Sequence, residues 1–121
     1  MAVEGQALQA GPEPDHAVSC VGWSYGYQSG IWIYYGSYTS CSSAADYLYA
    51  QSSLQHEVSP GNWQTLPGGQ ASDACLNCSF LTISGIYPAQ GEVHLRALTF
   101  RYLQEDGQYD WDWSSYEFWE Y

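Results

Sequence analysis

Three histidines, His16, His56 and His94, are the side chains that would titrate near neutral pH. His16 lies in a glycine- and proline-rich opening stretch. His56 sits at a turn beside Glu57. His94 alternates with Val93 and Leu95, so it is expected to face outward. None stands in a Gly-x-Ser-x-Gly elbow or a His-Glu-x-x-His pair. There is no glycine-rich phosphate loop and no lysine for a Schiff base. A non-catalytic chain is therefore expected. The carboxylates are the second candidates. Asp110 and Asp112 flank Trp111 and share one face of a strand. At about 7 Å apart they have the span of an inverting glycosidase pair, but so small a domain lacks a deep cleft. Asp106, Asp110 and Asp112 together offer the hard oxygen ligands that calcium needs. The plainer reading is a solvated acidic edge that blocks edge-to-edge pairing. No cofactor is expected, with calcium the one candidate ion.

Cys20, Cys41, Cys75 and Cys78 form an even set in a small Gly- and Tyr-rich chain. That pattern reads as two disulfides in an oxidising compartment, with three connectivities open. A four-thiolate zinc site would use two CxxC-like knuckles, and only Cys75-Leu76-Asn77-Cys78 is one. The strand-like Phe80-Leu81-Thr82-Ile83 that follows argues against a thioredoxin-type motif, which needs a helix there.

These residues must be held by strands. Residues 1 to 17 carry Gly5, Gly11, Pro12 and Pro14 and read as an N-terminal arm or linker. They show neither a basic n-region nor an apolar h-region, so an exported protein would be read here in its mature form. From Val18 to Tyr121 the hydrophobic period is two. Ile31, Ile33 and Tyr35 alternate with Trp32 and Tyr34. Leu48, Ala50 and Leu54 share a face. Further runs are Trp63–Leu66, Phe80–Ile86, Val93–Tyr102 and Tyr109–Tyr121. Ser59-Pro60-Gly61, Pro67-Gly68-Gly69 and Glu105-Asp106-Gly107 punctuate them as turns. Six or seven short strands so spaced predict one all-β domain, an antiparallel β-sandwich or barrel.

Leu81-Thr82-Ile83-Ser84-Gly85-Ile86, then Pro88, then Gly91-Glu92-Val93-His94-Leu95-Arg96-Ala97 resembles the E–F region of fibronectin type III and related immunoglobulin-like domains. Tyr49–Gln55 followed by Asn62-Trp63-Gln64-Thr65-Leu66 resembles their C and C′ strands. Gly107–Ser115 falls at the F–G turn and G strand. The resemblance covers about residues 40 to 115 and implies a sandwich of about seven strands with two disulfides. Val93 stands where the family often has the tyrosine of the tyrosine corner, so that feature is missing or rebuilt. The resemblance also places Cys20, Cys41 and the Cys75/Cys78 pair near strands A, B and E. Bonds from A to B, or from B to E, are then reasonable, and so is a local Cys75–Cys78 bond. The fold hosts many activities and implies none.

Charge narrows the partners. Thirteen acids against Arg96 and Arg101 give a formal net charge of −11. Such a surface repels phosphate backbones and anionic membranes, so no nucleic acid partner and no membrane insertion are expected. Disordered acidic chains lack aromatics, whereas this one has 12 Tyr, 6 Trp and 3 Phe. The aromatics crowd into two segments. Trp23, Tyr25, Tyr27, Trp32 and Tyr34 lie in the first, and Trp111, Trp113, Trp119 and Tyr121 in the second. Where both faces of a strand are apolar, one is expected to be a contact surface. Ser24-Tyr25-Gly26-Tyr27-Gln28-Ser29-Gly30 also resembles the Tyr/Gly/Ser/Gln repeats of self-associating segments. The expected function is a secreted or cell-surface structural or adhesive protein. It would self-associate, or bind another extracellular protein, through these aromatics and the N-terminal arm. The alternatives are a carbohydrate-binding module, a small-molecule carrier and a hydrolase inhibitor.

Overall fold

A computed structural model describes residues 5–10 as backbone, and residues 18–91 and 93–121 in full. Among these the chain is all strand and turn: β1 (Gly5–Ala10), β2 (Val18–Ser29), β3 (Trp32–Ser59), β4 (Asn62–Pro88), β5 (His94–Glu105) and β6 (Gln108–Trp119). All pairings are antiparallel, in the order β1-β2-β3-β5-β6, with β4 along the other edge of β3. Of the expected arm, only Gly5–Ala10 is described, as a strand on β2.

The turns form where the sequence predicts them. Asp106 and Gly107 both take positive φ, 53° and 78°, between Glu105 and Gln108. Such two-residue turns match the twist of the hairpin they close. Pro60-Gly61 closes the β3–β4 hairpin in the same number of residues. Pro67-Gly68-Gly69, however, is no turn between strands. It lies inside β4 as a bulge: residues 66–69 sit opposite Leu54 alone, between Ser53↔Gln70 and Gln55↔Thr65. A matching bulge in β3 sets residues 41–44 opposite Ser79, between Ser40↔Phe80 and Ala45↔Cys78. Bulges bend a strand without ending it. The expected short runs therefore fuse into strands of 28 and 27 residues, and six strands stand where about seven were expected.

The bent β3–β4 hairpin curls the sheet. The first half of β3 pairs with β2, the second half with β5, and β4 follows both along the opposite edge. The inner faces of the two halves meet. Ser24 of β2 reaches Thr99 of β5 at 2.8 Å and Ser114 of β6 at 2.7 Å, although none of these strands are neighbours of β2. β1 comes against β6 on the same side.

Two apolar clusters fill the ends of the interior. One joins Val18, Cys20, Leu48, Leu81, Ile83 and Leu103. The other joins Ile33, Tyr35, Leu54, Leu66, Leu95 and Ala97. Between them runs a polar band. Ser24, Ser52, Thr99 and Ser114 satisfy one another, Ser52 meeting Thr99 at 2.9 Å. Arg101, 1% exposed, pairs with Asp112 at 3.3 Å and lies over Gly22, where any Cβ would run into the guanidinium. Burial pushes the Arg101 guanidinium down and the Asp112 carboxyl up, each against the pull of the other.

Both disulfides are formed. Cys20–Cys41 ties directly opposed residues of β2 and β3, with Cα atoms 3.9 Å apart. Cys75–Cys78 closes within β4. Three residues of extended chain would separate its Cα atoms by about 10 Å. They lie 6.1 Å apart because Asn77 takes a left-handed φ of 51° and kinks the strand.

Candidate functional site

Alternation sends every second residue of each strand outward, and because the inner faces meet, the outward faces point away from one another. On the β5–β6 half, the outward positions toward the β5–β6 turn are Tyr47, Tyr49, Gln51 and Ser53 on β3, and Leu98, Phe100, Tyr102 and Gln104 on β5. Beside them lie Tyr109, Trp111, Trp113 and Ser115 on β6, and Gln70, Ser72, Ala74 and Leu76 on β4. None of these sixteen residues is charged, in a chain of net charge −11. At ordinary strand spacings they cover about 500 Å². Phe100 is the hub. Its ring lies 5.1 Å from Trp113, 6.2 Å from Trp111 and 6.4 Å from Tyr49, at interplanar angles of 57°, 37° and 57°. Tyr47 meets Tyr102 at 64°. Trp111 and Trp113 remain about half exposed, at 53% and 50%.

The face of the β2 half is also uncharged. Its rows are Val21, Ser40 and Phe80; Trp23, Tyr38 and Thr82; Tyr25, Gly36 and Ser84; Tyr27, Tyr34 and Ile86. Four tyrosines stack in series: Tyr38 on Tyr25 at 5.1 Å, Tyr25 on Tyr27 at 6.3 Å, and Tyr27 on Tyr34 at 5.3 Å. Gly36 makes this possible. A Cβ there would strike the Ile83 carbonyl and crowd the Tyr25 hydroxyl, which donates to that carbonyl at 3.4 Å. Tyr25, expected as contact surface, is consequently buried within the stack, and burial pushes its hydroxyl pKa up. Trp32 and Tyr27 stay exposed.

The nine aromatics singled out from the sequence thus divide between opposite faces. Trp23, Tyr25, Tyr27, Trp32 and Tyr34 lie on one; Trp111, Trp113 and Trp119 lie on the other. Tyr121 follows β6, its backbone fixed by Gln28, which accepts from its N–H and donates to its carbonyl, both at 2.6 Å. Five partners were missed: Tyr47, Tyr49, Phe100, Tyr102 and Tyr109. Their signal was alternation, since Leu48 and Ala50 facing inward put Tyr47 and Tyr49 outside.

Trp119 belongs to a separate cluster at the far end of its face. It stacks on His94 at 4.3 Å, and Trp63 meets the same ring edge-on at 5.0 Å. His94 Nδ1 is 3.0 Å from Glu57, and its Nε2 is 3.8 Å from Glu117. Arg96 lies over Trp63, 4.6 Å from the ring centroid, and donates to Gln55. The Gly61 N–H, and then His94, hold the Glu57 carboxyl below its ordinary pKa. The outward-facing charge of this half's strands is gathered here.

The proposed calcium set does not gather. Asp112 turns into the interior against Arg101, because the face it shares with Asp110 is the inner one. Asp106 occupies the β5–β6 turn, where its N–H donates to Asp46 at 2.8 Å. Among the described residues, no group of three or more His, Cys, Asp or Glu is placed to hold a metal ion.

No family model matches the sequence, and neither a curated protein nor a solved structure matches the chain.

Proposed function

We propose that this is a secreted or cell-surface structural or adhesive subunit that associates with copies of itself through its two aromatic faces. One observation carries the reading: the β2 face and the sixteen-residue patch around Phe100 are free of charge in a chain of net charge −11, the outward charges of the second face being confined to the Trp119 end. Copies with so many like charges repel over a Debye length of about 8 Å at physiological salt. Face-to-face approach is the orientation that keeps the acids apart. The patches, at about 500 Å² around Phe100 and about 400 Å² on the β2 half, flat before side-chain relief, approach the roughly 800 Å² per partner of a stable interface. Faces pointing away from each other favour open-ended stacking over closure. Two disulfides fit the oxidising environment that an extracellular role implies.

The ring geometry favours protein over sugar as the occupant. A sugar platform needs coplanar exposed rings, whereas those around Phe100 are tilted by 37° to 57° and offer edges and faces for interdigitation. β1 lies along its own β2, so the faces, rather than a donated arm, support the reading. We further read the curled sheet as an immunoglobulin-like sandwich. β2 would be A; the halves of β3, B and C; the halves of β4, C′ and E; β5 and β6, F and G. The observed pairings A–B, B–E, C–C′, C–F and F–G are those such a domain uses.

Light scattering over a concentration series tests the reading. The oxidised protein is expected to grow into large species, more readily as salt rises and screens the net charge. Trp111→Glu with Trp113→Glu should stay small. A wild-type monomer at every concentration would overturn the proposal and make a glycan array the next experiment.

A further inference from the structure

A different part of the molecule carries a second contact. β4 pairs only with β3, so among the described residues its other edge is open along its whole length. Open edges recruit further strands unless something blocks them. From Asn62 to Cys78 the edge is blocked by Pro67, by the 66–69 bulge, by Asp73, and by the kink that Cys75–Cys78 fixes at Asn77. Phe80-Leu81-Thr82-Ile83-Ser84-Gly85-Ile86-Tyr87 has none of these devices: no charge, no proline and no register shift. The other sheet margins are managed. β6 carries Asp110, Asp112 and Glu117, and β1 comes against it.

We infer that residues 80–86 form an edge that pairs, antiparallel and about a two-fold axis, with the same segment of a second copy. The side-chain period fixes the register. Only pairings whose residue numbers sum to an even value keep like faces together. Among these, centring on Ile83 keeps Pro88 outside the paired stretch. On the outer face this sets Phe80 against Ile86 of the second copy, and Thr82 against Ser84. Apolar meets apolar, hydroxyl meets hydroxyl, and no like charges are opposed. Phe80 and Ile86, now 55% and 52% exposed, would cover each other. The contact needs only the edge, and it stands apart from stacking through the faces.

Two double variants test it. Thr82→Lys with Ser84→Lys opposes lysines across the axis; Thr82→Lys with Ser84→Glu opposes lysine to glutamate. Both put charges on the same outer face, so both disturb face stacking, and they differ in what the edge register confronts. Sedimentation at low salt should find the Lys/Glu protein dimeric and the Lys/Lys protein at least about tenfold weaker. Equal association of the two, whether both monomeric or both dimeric, would overturn the inference. Wild-type protein that stops at a dimer would leave the edge standing and remove the face reading instead.

Discussion

Arg101 and Asp112 show what a buried charge does to this interior. The guanidinium is closed off by Gly22 from the opposite half of the sheet, and its Nη1 and Nη2 have no hydrogen-bonding partner among the described residues. Breaking such a pair leaves one ion uncompensated in a low-dielectric site. Asp112→Ala is therefore expected to cost about 3 to 5 kcal/mol, read from the midpoint of urea unfolding. Replacing both partners, as Arg101→Met with Asp112→Leu, should be neutral or stabilising. If the double replacement costs as much as the single one, the band is doing more than solvating itself. The raised carboxyl adds a pH signature. Because Asp112 binds its proton more readily folded than unfolded, its contribution to stability falls as pH rises from the ordinary aspartate value through the raised one. The sequence showed that Asp110 and Asp112 share a face, but not that the face was inside. That depended on Ser114, Tyr116 and Phe118, a polar and aromatic mixture whose period of two has no obvious wet side.

At the scale of elements, alternation was legible and continuity was not. Ile33 and Tyr35 inward with Trp32 and Tyr34 outward, and Leu48, Ala50 and Leu54 inward, follow from period two. Pro67-Gly68-Gly69 has the composition of a loop, yet opposite Leu54 it acts as a bulge. Local residues cannot distinguish the two when the partner strand decides. The disulfides make the elements testable. In the chain-entropy account, Cys20–Cys41, closing a separation of 21 residues, stabilises by about 3 kcal/mol. Cys75–Cys78, closing a separation of 3, should stabilise by less than about 2 kcal/mol. Replacing each pair by alanines and comparing urea midpoints should reproduce that order. A reversed order would show that the Asn77 kink, rather than the β2–β3 tie, organises the sheet.

Over the whole molecule, the position of charge separates surface from interface. Composition gave the net charge and the count of aromatics. It could not show that acids are excluded from the β2 face and from the patch around Phe100, because Tyr47 and Trp111 meet on one face only through the pairing of β3, β5 and β6. The most direct measurement is collisional quenching of tryptophan fluorescence as protein concentration rises. Trp32, Trp111, Trp113 and Trp119 are 40% to 65% exposed in the single chain and should be quenched readily when dilute. As copies stack, quenching is expected to fall and emission to shift to the blue, and Trp111→Phe with Trp113→Phe should remove most of the change. Tryptophans that stay equally open to the quencher while the protein grows into large species would contradict burial of these faces between copies.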